Sequence, residues 1–292
     1  MKFFRNITVL LLAATLSACN DEAKEYNPAV TLSFNPAIMA NTRAEAGVYP
    51  QDIPFGVCGL RNDVQAGNVM FMNDVQVCNT AGDWLPQTEY LWTSREAHTY
   101  VAYSPYGCGA AFTTDGGIEL SGYNVTAEDA CDFMFTSPVE CLKDKCHGQV
   151  SLAFVRALAC VELKLRSTAS NDVQLRLRSL KIGDIVCDGD FRSQPQPHWV
   201  LGNETCDVEF FSGDMPVTRR GIYLDAQMVM PQKPGRPVTV VLDVYNADGE
   251  LQEEGVTLHS ESINAVWRVG KMYSYTIDVS PDDVTFTTEY LD

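Results

Sequence analysis

The chain has 292 residues, of which 46% are hydrophobic, and it carries 38 Asp and Glu residues against 21 Lys and Arg residues. This hydrophobic share excludes wholesale disorder, and the length suits one large or two modest domains. The formal net charge of −17 repels a phosphate backbone, which disfavours binding to nucleic acid.

The pattern of the first 18 residues is typical of a signal peptide. Lys2 and Arg5 form a short basic region, and the apolar stretch 7–14 that follows is too short to span a bilayer, which takes roughly 20 residues. The sequence Leu16-Ser17-Ala18-Cys19 resembles the bacterial lipobox.

Cys19 is therefore the predicted lipidation site, and residues 19–28 are a flexible tether. A lipidated cysteine converts a secreted protein into a membrane-anchored one. The alternative is an ordinary secretory signal followed by a chance cysteine.

The mature chain alternates apolar and polar residues with a period of two, which is typical of half-buried strands. The apolar positions of these runs are Val30, Leu32 and Phe34; Val161, Leu163 and Leu165; Val173, Leu175 and Leu177; Val238, Val240, Leu242 and Val244; and Tyr273, Tyr275, Ile277 and Val279. Only one short helix is predicted, at residues 126–131. The pattern predicts an all-β protein of two sandwich domains, at residues 29–146 and 147–292.

Nine cysteines follow Cys19. In an exported protein they indicate either disulfides or small buried thiols, and the sequence leaves both open. Cys141 and Cys146 are the closest candidates for a local disulfide. A zinc site that includes His147 would need four ligands, and no second ligand cluster is near in sequence, so we predict no metal.

No catalytic motif stands out in the sequence. The four histidines are scattered, and neither a phosphate-binding loop nor a Gly-x-Ser-x-Gly motif occurs. We therefore predict no enzymatic activity and no cofactor. Six aromatic residues between positions 84 and 106 could form either core or a sugar-stacking platform: Trp84, Tyr90, Trp92, Tyr100, Tyr103 and Tyr106.

Several motifs, in order, resemble the fimbrillin (type V pilin) superfamily of Bacteroidales-type bacteria. They are the lipobox, the strand from Val30 to Phe34, Tyr90-Leu91-Trp92, Tyr100 to Pro105, Asp132 to Thr136, Val150 to Phe154, Met228 to Gln232, and Trp267 with Gly270-Lys271 and Tyr273-Ser274-Tyr275. The resemblance implies two transthyretin-like β-sandwiches in tandem.

The resemblance also implies a mechanism of assembly. An arginine-specific protease would cut after Arg43 and release a first strand that carries Val30, Leu32 and Phe34. The groove left behind would be filled by a strand from another subunit, through main-chain hydrogen bonds and alternate side chains. The alternative is that Arg43 lies in an uncleaved loop.

The C-terminal segment contains the candidate donor strand, with Val284, Phe286 and Tyr290 on one face and Thr288 interrupting the apolar row. The alternative is a strand of the C-terminal domain's own sheet. The family commonly ends in Trp, and Tyr290-Leu291-Asp292 departs from that pattern.

The predicted function is a structural subunit of a cell-surface fimbria, made as an outer-membrane lipoprotein. Its partners would be other fimbrial subunits, in a homo- or hetero-polymer, and the outer membrane through its lipid. The alternative is a monomeric surface lipoprotein that binds a host glycan or protein.

Overall fold

The computed structural model describes residues 28–39, 47–63, 67–235, 237–263 and 265–289. The described chain is almost entirely β-strand, which confirms the all-β prediction. No helix in these ranges is long and apolar enough to cross a membrane.

The described part of the first half of the chain contains twelve strands and one short helix. They are β1 (Val30–Thr31), β2 (Ser33–Ile38), β3 (Gly47–Val48), β4 (Phe55–Asp63), β5 (Gly67–Thr80), β6 (Asp83–Pro86), β7 (Leu91–Trp92), β8 (His98–Ser104), β9 (Ala111–Phe112), β10 (Ile118–Asn124), β11 (Met134–Thr136), β12 (Val139–Cys141) and α1 (Lys143–Cys146).

Among the described residues of the second half there are a further twelve strands. They are β13 (Gln149–Arg156), β14 (Ala159–Ser167), β15 (Val173–Val186), β16 (Asp188–Arg192), β17 (His198–Leu201), β18 (Thr205–Val217), β19 (Ile222–Tyr223), β20 (Gln227–Val229), β21 (Pro237–Asn246), β22 (Leu251–Ser262), β23 (Met272–Val279) and β24 (Val284–Glu289).

The N-terminal strands form one large sheet in the order β11-β13-β2-β6-β5-β4-β8-β12, with β3 also paired to β2. All its pairs are antiparallel except β2 with β13. β13 therefore belongs to the same sheet as the first strand, although it follows the predicted boundary at residues 146 and 147. A hydrogen-bonded sheet does not by itself define a domain, so this boundary stays a prediction.

A smaller sheet joins the two halves of the chain. Its order is β17-β16-β10-β9, so that β10 from the first half pairs with β16 from the second. Beneath it, Phe191 packs its ring on Phe133 and Phe135 at centroid distances of 5.3 and 4.9 Å. This shared cluster also includes Leu158 and Met230, which ties the halves together.

The C-terminal strands form two sheets around one core. One has the order β19-β14-β23-β24 with β20 also on β14, and the other has the order β18-β15-β21-β22. In β14 the alternation predicts the burial correctly, because Val161, Leu163 and Leu165 are buried while Arg166 is exposed.

The helix predicted at residues 126–131 is wrong, because this segment forms turns. The side-chain oxygen of Asn124 accepts hydrogen bonds from the backbone N–H of Thr126, at 2.8 Å, and from its hydroxyl, at 2.7 Å. An asparagine side chain that bonds the backbone two residues on favours a turn over a helix start. The helix that does form, α1, has only four residues.

Asp243 in β21 carries a buried carboxylate on the face of the sheet opposite that of Leu242 and Val244. Its Oδ1 accepts the backbone N–H of Gly255 at 2.9 Å, and its Oδ2 accepts Nε of Arg178 at 2.7 Å. These hydrogen bonds, that of Gly255 above all, lower the pKa of Asp243. A carboxyl whose folded pKa is lowered adds stability above its unfolded pKa of about 3.9 and loses it as the pH falls through the folded value.

We therefore expect Asp243→Asn to be less stable than the native chain near neutral pH. The difference in the free energy of unfolding should shrink as the pH falls below about 3.9, the pKa of the unfolded carboxyl, and through the lower pKa of the folded one, where the native carboxylate becomes protonated. Urea denaturation at a series of pH values measures this difference. If the difference in free energy of unfolding between the two chains stays constant at acid pH, the charge of the Asp243 carboxylate does not stabilise the fold.

Candidate functional site: the first strand and its groove

The predicted first strand is divided in the structure. Val30 belongs to β1, which pairs with β7 in a separate two-stranded sheet, and β2 lies in the interior of the large sheet rather than at its edge. β2 runs parallel to β13 over six residue pairs, from Ser33 opposite Gln149 to Ile38 opposite Phe154. On its other side it pairs with β6 through Phe34 and Trp84, and with β3 through Ala37 and Val48. Removing it would therefore leave a slot between β13 and its neighbours on the other side.

Main-chain hydrogen bonds explain how this strand accommodates Pro36. The N–H of Ser33 donates to the carbonyl oxygen of Gly148, just before β13, and the N–H of Met39 donates to that of Phe154 in β13, both at 2.8 Å. Since alternate residues of a strand face opposite neighbours, the missing N–H of Pro36 faces the other side. On that side, β2 pairs with β6 only at Phe34, and its pairing with β3 starts at Ala37. Pro36 therefore has no partner strand beside its nitrogen, and the sheet loses no main-chain hydrogen bond.

The side chains of the strand fill the N-terminal core. Leu32, Phe34 and Ile38 are 1%, 2% and 8% exposed, and the ring of Phe34 lies edge-on to Phe55 at 6.1 Å and to Tyr100 at 5.9 Å. Of the three predicted residues, Leu32 and Phe34 are fully buried and Val30 only partly. The third deep anchor is Ile38, which continues the same period of two beyond Pro36.

The loop of residues 141–148 contacts the start of the first strand. The side chain of Lys143, only 3% exposed, donates from Nζ to the backbone carbonyl of Pro28 at 3.0 Å. Gly148 has a φ of +82°, and a Cβ at this position would lie 2.7 Å from Thr31 O and 3.0 Å from a methyl of Val30. No pattern in the sequence predicted this contact.

Gly148→Ala is expected to lower the free energy of unfolding by about 1–3 kcal/mol, because it adds both backbone strain and a clash with the first strand. Gly249→Ala is the matched control, since Gly249 has a φ of +81° and a Cβ added there would meet no atom within 4 Å. Chemical denaturation of both variants separates the backbone strain, which both share, from the clash with the first strand, which only Gly148→Ala has. Equal losses would contradict the contact between Gly148 and the strand.

The candidate donor strand lies at the edge of a C-terminal sheet. β24 pairs with β23 over six residues, from Val279 opposite Val284 to Ser274 opposite Glu289. Val284 is buried, and Phe286 is partly buried with its ring 5.4 Å from that of Tyr275. Strand β24 thus occupies its own sheet here, and its role as a donor stays a prediction.

Three of the predicted functional residues, Cys19, Arg43 and Tyr290, lie outside the described residues. Cys141 and Cys146 are both described. Cys141 ends β12 and Cys146 is the last residue of α1, and both are partly buried against the N-terminal core. Within the described ranges, no three His, Cys, Asp or Glu side chains gather where they could hold a metal ion.

The aromatic residues divide between core and a small cavity. Trp84, Tyr100 and Tyr103 are buried in the core. The ring of Trp92 stacks on His98 at a centroid distance of 4.5 Å beside a cavity of about 130 Å³.

The buried indole Nε1 of Trp92 has no hydrogen-bond partner in the described part of the chain. Burial, together with the charge of Arg61, lowers the pKa of His98 to about 4, so its imidazole is neutral near neutral pH. Its two ring nitrogens contact Ser94 Oγ at 3.0 Å and Tyr100 Oη at 3.2 Å.

Comparison with known proteins identifies the family. The sequence profile described as fimbrillin-like matches residues 42–289. The chain belongs to the fimbrillin-like family. This confirms the resemblance inferred from the motifs, and it indicates a fimbrial subunit or adhesin of the cell surface with a structural role.

Solved structures share the fold of this fimbrillin-like chain. A fimbrial protein from Bacteroides vulgatus is 12% identical, with a TM-score of 0.59 over 89% of this chain and 98% of that one. A candidate cell adhesion protein from Bacteroides uniformis is 15% identical, with a TM-score of 0.56 over 90% of this chain and 99% of that one. At such identities the likeness shows the fold alone. The comparison with curated proteins finds no match.

Proposed function

We propose that this fimbrillin-like chain is a structural subunit of a cell-surface fimbria that assembles by exchange of its first strand. The precursor is exported as a lipoprotein anchored through Cys19 and is cleaved after Arg43. A strand from another subunit then takes the place of β2, with Val284, Phe286 and Tyr290 as the candidate donor residues. The observation that carries this proposal is the interior position of β2 between β13 and β6.

The energetics of the strand support this exchange. Full burial of one large apolar side chain stabilises a protein by about 1.5–3 kcal/mol, so Leu32, Phe34 and Ile38 together contribute roughly 5–9 kcal/mol. The whole stability of a domain is about 5–15 kcal/mol. A subunit that has lost β2 therefore exposes an apolar groove and loses much of its free energy of folding. An incoming strand restores both the burial of apolar side chains and the main-chain hydrogen bonds.

The test is proteolysis of the lipid-free chain carrying Cys19→Ser with an arginine-specific protease, followed by intact mass and electron microscopy. We expect a cut after Arg43 and then fibres or denaturant-resistant ladders. Arg43→Lys is the matched control, since it keeps the charge and removes the arginine. A chain cut after Arg43 that stays monomeric contradicts strand exchange, and assembly of the Arg43→Lys chain contradicts the cleavage site.

A second candidate function is ligand binding by the uncleaved monomer, and the cavity beside Trp92 favours it. A buried donor without a partner loses the free energy of a hydrogen bond, and the oxygen of a sugar hydroxyl or acetamido group could accept from this indole N–H. Isothermal titration calorimetry with N-acetylglucosamine and glucose tests the site. Binding by the native chain that Trp92→Phe abolishes would support this function, and no heat of binding with either sugar would oppose it.

A further inference from the structure

Six of the nine described cysteines lie in three pairs whose thiols are in hydrogen-bond contact. The pairs are Cys108 with Cys131, Cys141 with Cys146, and Cys187 with Cys206. Only the second pair is close in sequence. The other two are brought together by the fold.

The pair Cys108 and Cys131 lies beneath β10. Both residues pack on the cluster that joins the two halves, and both line one cavity of about 420 Å³. The hydroxyl of Tyr123 donates to the backbone carbonyl of Cys131 at 2.8 Å, which holds that segment against β10. The two side chains thus meet at a position fixed by neighbouring contacts.

The pair Cys187 and Cys206 lies at the end of the β15–β18 ladder. Ile185 is opposite Cys206, and the N–H of Cys187 donates to Glu204 O at 2.9 Å. Cys187 lies one residue beyond the end of β15, and this hydrogen bond continues the pairing with β18. Residues directly opposite each other share a face, as do residues two apart along an extended chain. Cys187 and Cys206 are therefore diagonal neighbours on the same face.

The pair Cys141 and Cys146 spans the α1 turn. The N–H of Cys146 donates to Leu142 O at 3.1 Å, which folds the segment back on itself. Both side chains pack on the N-terminal core. This pair closes the loop that contacts the first strand through Lys143 and Gly148.

We propose that these three pairs are oxidised to three disulfides in the exported protein, while Cys58, Cys78 and Cys160 remain thiols. A disulfide requires two cysteines whose side chains already approach each other. In this structure the six cysteines are free thiols that contact each other within each pair. Exported proteins meet the oxidising environment in which such bonds persist. This inference does not depend on strand exchange.

The chemistry is thiol–disulfide exchange with a protein or small-molecule disulfide as the oxidant. One thiol loses its proton, and its thiolate attacks the oxidant to form a mixed disulfide and release one thiol of the oxidant. The second cysteine loses its proton, attacks the mixed disulfide and releases the other thiol. The pair is thereby oxidised by two electrons, and the oxidant is reduced to two thiols.

Acidity does not separate the two groups of cysteines. Burial raises the pKa of Cys58 to about 11, and it does the same for Cys141 and Cys206. The assignment therefore follows from which thiols meet in the fold, because the second sulfur must be within reach of the mixed disulfide.

The first test is thiol counting on the full chain carrying Cys19→Ser, exported to an oxidising compartment and treated with oxidised glutathione. After denaturation and alkylation without reductant, we expect three of the nine cysteines to be alkylated, and peptide mapping should find them at residues 58, 78 and 160. Alkylation of all nine, or crosslinked peptides that join other cysteines, would overturn the proposal.

The second test is thermal unfolding of the double variant Cys187→Ser with Cys206→Ser. Without reductant its midpoint should lie roughly 5–10 °C below that of the native chain, because one cross-link is lost. Cys160→Ser is the control for a single thiol, and the difference between its midpoint and that of the native chain should be unaffected by reductant. If the double variant differs from the native chain equally with and without reductant, the bond between Cys187 and Cys206 is absent.

Discussion

Replacing Phe34 with alanine should lower the free energy of unfolding of the uncleaved chain by about 3–5 kcal/mol, the range for a buried phenylalanine. Phe34 is 2% exposed and its ring touches those of Phe55 and Tyr100, so the shortened side chain leaves a cavity in the N-terminal core. Urea denaturation measures the loss. Asn35→Ala, on the exposed face of the same strand, is the control and should change little.

The proposed function adds a sharper expectation for Phe34. If the first strand leaves after cleavage at Arg43, residue 34 leaves with it, and the assembled form of Phe34→Ala should be as stable as that of the native chain. An assembled variant that remains weakened would show that the strand stays in place. That outcome would contradict strand exchange.

Phe154→Ala should cause a loss of similar size, about 3–5 kcal/mol, but in both states of the protein. Phe154 lies on β13 and is fully buried, with its ring 5.0 Å from Tyr49 and 5.3 Å from Phe55. It forms a wall of the groove that remains after β2 is gone. An incoming strand must therefore pack against it just as β2 does.

The comparison with Phe34 makes this prediction decisive. Thermal melting of the cleaved and assembled protein should show a defect for Phe154→Ala and none for Phe34→Ala. Ser151→Ala is the control on the exposed face of β13. If assembly removes the Phe154 defect as well, the groove between β13 and β6 is not where the new strand binds.

The fold class could be predicted from the sequence because burial on one face of a strand requires alternation. Val161, Leu163 and Leu165 show this directly, since their apolar side chains are all in the core. The order of the motifs predicted the family, which the matching family profile confirms. The same alternation predicted the buried face of the first strand, with Leu32 and Phe34.

The helix predicted at residues 126–131 failed for a local reason. The Asn124 side chain bonds the backbone of Thr126, and this competing interaction favours a turn. A Thr followed by an acidic residue three positions later resembles a helix start. The preceding asparagine outweighs that pattern here.

The sequence by itself determined that this chain is all-β, which face is buried in strands such as β14 and β21, and which family it belongs to. Only the tertiary structure decided that β2 runs parallel to β13 in the interior of a sheet, that residues 141–148 contact it, and that Cys108 meets Cys131 and Cys187 meets Cys206. The physical reason is that a period of two specifies the buried side of a strand and carries no information about its neighbour. Strand partners and cysteine partners are chosen by packing between segments that are distant in sequence.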